Sequence, residues 1–299
     1  MKPLTAENRV TLKELVAKEQ IFAPCVWDCV STKVAEAAGF KAVLLSSAAV
    51  GQSLCGMPDT GLITANELVG VTERITNTSS LPVIVDGDEG YGDSPLNVFR
   101  TCQRLANAGA MAISIDDTTG IRGWERLFYK NGYEYKACSK EDFLAKINAA
   151  VEGVRGTECM IIARTAAKRF HGLDEAIDRM VRAEKLGAHM TMVLGIHTIE
   201  ECRKINDKLP GWKMYPDVVS HNGVSDVNLD DIAKLGFNLV TCHFLEQGSI
   251  YGMMKFAKEN LKNRSTVYSD TFDMGDVDIS KVIDFGEWMS LEAHFRDDI

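Results

Sequence analysis

AEAAGFKAV, residues 35–43, runs from a helical pattern into a glycine and then directly into an apolar segment. Glycine is the usual left-handed stop at the end of a helix, and the apolar run that follows reads as the start of a buried strand. The same ending recurs as LANAGAMAI (105–113), AEKLGAHMT (183–191) and IAKLGFNLV (232–240), a weak internal repeat of helix-to-strand units. Outward from these points, apolar or β-branched runs fall at 21–27, 42–46, 82–86, 111–116, 159–164, 189–194, 217–221 and 238–243. Helical periodicity fills the intervals at 65–76, 96–108, 140–154, 173–186, 199–208 and 229–235. Such alternation implies parallel strands joined by crossover helices. Eight units favour a closed (β/α)8 TIM barrel over an open doubly wound sheet, and no GxGxxG follows the first strand to support a dinucleotide site.

The bulk properties agree with one such domain over residues 1–299. Hydrophobic residues make up 45% and charged residues 25%, enough apolar material for a large packed core. The net charge of -9 and the lack of any clustered Lys/Arg run argue against nucleic acid. A small anionic partner must then be attracted locally, by a metal ion, an arginine or backbone N–H groups. No run approaches the roughly eighteen apolar residues that span a bilayer, and the polar N-terminus reads as an amphipathic helix rather than a signal peptide, so a cytoplasmic protein is expected. Eight cysteines without CxxC spacing fit reduced thiols. Cys25 and Cys29 read as ordinary buried residues, because a zinc site needs two further matched ligands. From about residue 247 onward, helical patterns at 248–262 and 279–295 form an extension beyond what a barrel requires, of the kind used for subunit contacts.

Chemistry concentrates at VIVDGDEGYG, 83–92, where an apolar strand runs into acids and glycines. Asp86 and Asp88 fall at the C-terminal end of the third strand, the face on which barrel enzymes keep their active sites. Period-two alternation places them on one side if the strand continues, and two close carboxylates need a proton or a cation to coexist. Mg²⁺ suits carboxylate oxygens and water; a solvated Asp-Gly turn is the other reading. Asp116 and Asp117 after the fourth strand and Asp59 after the second add acids to the same rim, which favours a metal. Arg164, ending the fifth strand, offers a fixed fork for a substrate carboxylate or phosphonate, or else pairs structurally with the acids. Small residues at Ser46 and Ser47 allow an anion to approach backbone N–H groups. Among the histidines, His197, His221 and His243 end or follow the last strands and are acid–base candidates, with a zinc or iron centre built from them as the alternative metal site.

These segments resemble the phosphoenolpyruvate mutase and isocitrate lyase superfamily over roughly residues 20–195. VWDCVS (26–31) stands for Y-D-x-x-S, GMPDTG (56–61) for G-x-P-D-x-G, VDGDEGYG for D-x-D-x-G-Y-G, IDD (115–117) for I-E-D, and IARTAA (162–167) for A-R-T-D-A. The resemblance implies a barrel whose last helix swaps between subunits, in a homotetramer built from dimers. It implies Mg²⁺ (or Mn²⁺) held by Asp86, with Asp59, Asp88 and Asp116 acting mostly through water, and a substrate anion cradled by Ser46, Ser47, Trp27, Asp28 and Arg164, with His221 a further contact. The shared chemistry is formation of an enolate-type oxyanion. The family's lyases carry K-[KR]-C-G-H in the loop after strand four, and its mutases and hydrolases P-K-x-N-S; neither is present, and Cys138 lies at the far end of that loop. Asp116 replaces a Glu, Ala166 an acid, His189 an Asp and Leu194 a Glu. The expected activity is metal-dependent carbon–carbon cleavage of a small 2-hydroxy or 2-oxo di- or tricarboxylic acid, with Arg164, Glu125, Tyr129 and His197 as catalytic candidates. The alternatives are a phosphonopyruvate mutase or hydrolase, and a barrel that binds a metabolite without turnover.

Overall fold

The computed structural model describes residues 10–119, 136–273, 275 and 277–297. Eight strands close a barrel: β1 (Ile21–Val26), β2 (Val43–Leu45), β3 (Val83–Asp86), β4 (Ala112–Ile115), β5 (Met160–Thr165), β6 (Met190–Val193), β7 (Lys213–Tyr215) and β8 (Phe237–Cys242). Each lies parallel to its sequence neighbours, and β1 pairs with β8 to complete the ring.

Side-chain alternation along each strand sorts residues into two cores. Ile21, Ala23 and Cys25, Ile84, Ala112, Met160 and Ile162, Met190 and Met192, Met214 and Leu239 fill the barrel interior. Leu12 and Val16 of the helix Leu12–Lys18 close its lower end, and that helix starts on a Thr11–Glu14 capping box. The residues between them, such as Val83 and Val85, Ile113 and Ile115, or Ile161 and Ala163, face the outer helices and form the second core.

Sequence and structure part at the seventh strand, which is Lys213–Tyr215 rather than 217–221. Pro216 has no N–H to continue the ladder. Lys213 disguises the true strand, because it looks solvent-facing yet is 1% exposed, with Nζ donating to Leu209 O at 2.6 Å and Gly211 O at 2.7 Å. Ser220–His221 instead pairs antiparallel with Val224–Ser225 in an exposed hairpin.

His189, just before β6, accepts a hydrogen bond at Nδ1 from the Ile161 N–H (3.0 Å). Partial desolvation of the ring of this otherwise solvent-exposed residue, with Lys13 nearby, holds its imidazole below the usual 6.5. The unfolded chain therefore protonates first, and stability is lost as pH falls from 6.5 through the depressed folded value. His189→Asn, which keeps an acceptor but cannot titrate, is expected to flatten that part of the pH dependence. Denaturant unfolding of both proteins across this range checks it, and identical slopes would refute the assignment.

After β8 the chain enters the helix Phe244–Asn263, three residues earlier than the expected extension, and none of its residues is buried. Ile250, Tyr251, Met253, Met254 and Leu261 on it, and Phe285, Trp288, Met289 and Phe295 on the final helix Phe285–Asp297, are exposed. Among the described residues no helix is long and apolar enough to cross a membrane.

Candidate active site

The barrel interior ends upward in polar residues of the same parity as its apolar floor. Asp86 follows Ile84, Arg164 follows Ile162, and Ser114 and Asp116 follow Ala112. At Gly87 the N–H donates to Ser114 O (3.0 Å), and an added Cβ would lie 2.8 Å from both Ile113 Cγ2 and that oxygen, so only glycine lets β3 pass so near β4. Strand alternation does not carry Asp88 to its place, since β3 stops at Asp86. A left-handed turn does (φ 53 at Asp88), fastened by Asp116 N–H donating to Asp88 O at 2.8 Å.

Ser47 Oγ stands 3.0 Å from Asp88 Oδ1 and 3.3 Å from Asp86 Oδ2, one hydroxyl proton between two carboxylates. Tyr91 Oη donates to Asp88 Oδ2 (3.1 Å) and Ser114 Oγ to Asp86 Oδ1 (3.2 Å). Arg164 Nη1 donates to Asp86 Oδ1 at 2.7 Å and Nη2 lies 3.4 Å from Asp116 Oδ2, so the structural pairing weighed above is present here. Thr118 donates to Asp116 Oδ1 from both Oγ1 (2.6 Å) and N (3.0 Å). Burial raises the Asp116 carboxyl above its ordinary range, with Arg164 opposing. Asp59 lines a small cleft shared with Ser47 and Asp88. The donor set is carboxylate and hydroxyl oxygen throughout, the chemistry that fits a hard divalent cation such as Mg²⁺.

Asp117 does not join this mouth. One residue out of phase with Asp116, it faces the outer helices and is wholly buried, accepting from Ala166 N–H (2.8 Å), Thr165 Oγ1 and Arg179 Nη1 (3.0 Å). Ser46 caps the helix Ser47–Cys55, its Oγ accepting from Ala49 N–H at 3.3 Å. Asp28 caps Cys29–Ala37, accepting from Ser31 N–H at 2.7 Å and Ser31 Oγ at 2.8 Å. Trp27 and Asp28 line a second cleft of about 870 Å³ with Gln52, Phe244 and Glu246.

The three histidines are dispersed. His197 Nδ1 sits 3.2 Å from Asp226, which also accepts from Tyr215 Oη (2.9 Å), and His221 is on the exposed hairpin. Only His243, following β8, has the interior parity of Leu239. Burial pushes the Cys138 thiol up to about 11, unlike an activated cysteine. Glu125 and Tyr129 lie outside the described residues. Ser114, Thr118 and Tyr91 were not among the expected site residues; Ser114 had a signal in standing two positions before Asp116 on a strand, and Tyr91 in being the Tyr of the D-x-D-x-G-Y-G segment.

A parallel barrel with acids from successive strand ends and an opposing guanidinium at its C-terminal mouth defines the class: a TIM-barrel protein with a charged, polar mouth. The family model described as phosphoenolpyruvate phosphomutase matches residues 12–261, and the chain belongs to that family. It is 32% identical over 267 residues to a 2-methylisocitrate lyase of Aeropyrum pernix, covering 89% of this chain and 80% of the relative. A crystal structure of 2,3-dimethylmalate lyase superposes with a TM-score of 0.80 at 25% identity, covering 95% of this chain and 97% of that one. A phosphonopyruvate hydrolase solved with oxalate and Mg²⁺ shares the fold, with a TM-score of 0.78 at 22% identity over 93% and 95% of the two chains.

Proposed function

We propose that the protein is a Mg²⁺-dependent lyase that cleaves a carbon–carbon bond of a small 2-hydroxy or 2-oxo di- or tricarboxylic acid. The observation that carries this reading is the oxygen-only cluster in which one Ser47 hydroxyl serves both Asp86 and Asp88, facing Arg164. Two such carboxylates repel unless a cation or a proton joins them. Asp86, Asp88, Asp59 and Asp116 would hold Mg²⁺ (or Mn²⁺), which when bound supplies Lewis-acid stabilisation of charge on a substrate oxygen. The chain's own groups do the rest. Arg164 grips a substrate carboxylate, and the first N–H groups of the helix Ser47–Cys55 favour an anion at its start. Thr118 and Ser114 keep Asp116 and Asp86 oriented. Proton return falls to the segment after β4, where Glu125 and Tyr129 are the candidates in place of the absent C-G-H.

Cleavage is favoured over phosphonate chemistry because the relatives at 25% identity or more cited above are lyases. Incubation with Mg²⁺ and a panel of 2-hydroxy, 2-oxo and phosphono acids, followed by NMR, tests it. Pyruvate, glyoxylate or oxalate with a second organic fragment supports the lyase. Phosphate or phosphoenolpyruvate would support the mutase or hydrolase instead, and binding without turnover a non-catalytic barrel. Arg164→Lys, which keeps the charge but loses the fork, is expected to lower kcat/KM by about 10- to 100-fold, the equivalent of one charge-assisted hydrogen bond. An unchanged kcat/KM on the acid identified by that panel would remove Arg164 from the substrate site.

We read residues 1–299 as one barrel domain with a helical extension. The exposed apolar side chains of Phe244–Asn263 and Phe285–Asp297 support exchange of these helices between subunits of a homotetramer. Eight unpaired cysteines support a cytoplasmic location.

A further inference from the structure

Opposite the acids, the β7–β8–β1 sector of the mouth carries a different set of donors. Pro24 pairs with Cys242 across β1 and β8, so the next residues, Cys25 and His243, stand level at the rim. Asp217 follows two residues after Tyr215 at the end of β7, on the other side of β8. Topology thus gathers three residues from three adjacent strand ends, with Cys25 far from the other two in the chain. Their ligand atoms, a thiol sulfur, a carboxylate oxygen and an imidazole nitrogen, all lie within 4.8 Å of one another.

His243 and Asp217 are paired within the group, and Cys25 lies beside the pair. His243 Nδ1 and Asp217 Oδ1 form an ion pair at 2.7 Å. Cys25 is fully buried and belongs to the upper end of the barrel's interior core. A metal entering this group would take over the Asp217 and His243 atoms already paired with each other and add the neighbouring sulfur. One sulfur, one nitrogen and one oxygen suit a borderline divalent ion of the Zn²⁺ class and suit Mg²⁺ poorly.

We propose that Cys25, Asp217 and His243 form a second metal site, selective for Zn²⁺-class ions and separate from the oxygen cluster around Asp86. Three protein ligands leave a fourth position for water or a substrate oxygen, as in zinc sites that act on a bound molecule. Binding replaces the thiol proton: the Sγ–H bond breaks, the sulfur keeps the electron pair and donates it to the metal, and the proton leaves to solvent. The reading does not depend on the lyase activity, because it concerns other residues and a different class of ion.

Titration of the chelator-stripped full-length protein with Co²⁺, in excess Mg²⁺, tests it. One equivalent of Co²⁺ is expected to produce a thiolate-to-cobalt charge-transfer band, and Zn²⁺ to displace it. Cys25→Ser is expected to abolish the band while Asp86→Asn retains it, and His243→Ala to weaken Co²⁺ binding by more than about tenfold. Should Cys25→Ser fail to fold, Asp217→Asn, at a side chain 45% exposed, carries the same test through the Co²⁺ affinity. No band in the parent protein, a band that survives Cys25→Ser, or unchanged affinity in both the Asp217 and His243 variants would overturn the proposal and leave an Asp–His pair beside a bystander thiol.

Discussion

Asp86→Asn is expected to reduce kcat by about 10³-fold or more, because a bound cation's charge stabilisation is worth several kcal/mol and each 1.36 kcal/mol is a factor of ten. Asn preserves the shape and keeps one oxygen, which can serve Ser114 and Arg164 while its NH2 turns to the Ser47 hydroxyl, so the loss reports mainly charge rather than packing. Asp86 is singled out because Ser47, Ser114 and Arg164 all touch it, at the point where β3 ends. The same variant is expected to need far more Mg²⁺ for half-maximal activity while melting within a few degrees of the parent, since its side chain is only partly buried. Kinetics across a Mg²⁺ series together with thermal melts decide the matter. Activity within tenfold of the parent at ordinary Mg²⁺ would sink the metal reading of this cluster.

Arg179→Met should cost about 3–5 kcal/mol of unfolding free energy, the usual penalty for stranding one partner of a buried ion pair. Asp117 is 0% exposed, and Arg179, at 3%, donates to it, to Glu175 and to the Cys138 carbonyl. Methionine fills much the same volume, so the loss is electrostatic. Adding Asp117→Asn is expected to recover part of it by removing the uncompensated charge. Urea unfolding of the two single variants and the double reads the coupling directly, and a cost below 1 kcal/mol for Arg179→Met would show that Asp117 finds another partner. The pair also bears on function. Asp117 holds the Thr165 hydroxyl and the Ala166 N–H immediately after Arg164, and so fixes the strand end from which that guanidinium projects.

Asp116 and Asp117 illustrate how much of the site is written in sequence. Both follow β4 and both read as rim acids, yet the alternation that turns one toward the barrel axis turns the other into the helix layer. Asp86 and Asp88 come together by a route that alternation does not describe, a left-handed turn after a glycine packed against β4. The seventh strand was misplaced because a buried Lys213 hides its character, its ammonium satisfied by carbonyls that local sequence cannot reveal. That error carried His221 to the rim when it belongs on an exposed hairpin.

Local chemistry, read residue by residue, was therefore enough for the barrel class: repeated helix-to-glycine-to-strand endings and alternating apolar runs are short-range patterns, and seven of the eight runs fall on barrel strands, the seventh run alone lying outside. It was also enough to place Asp86, Asp88, Asp116 and Arg164 at strand ends, because strand ends are local. What required the tertiary structure is which side chains share space across the mouth: Ser47 between two carboxylates, Asp117 withdrawn to Arg179, and Cys25 beside Asp217 and His243. Those meetings depend on the register between strands far apart in the chain, a property of barrel closure that no window of sequence contains.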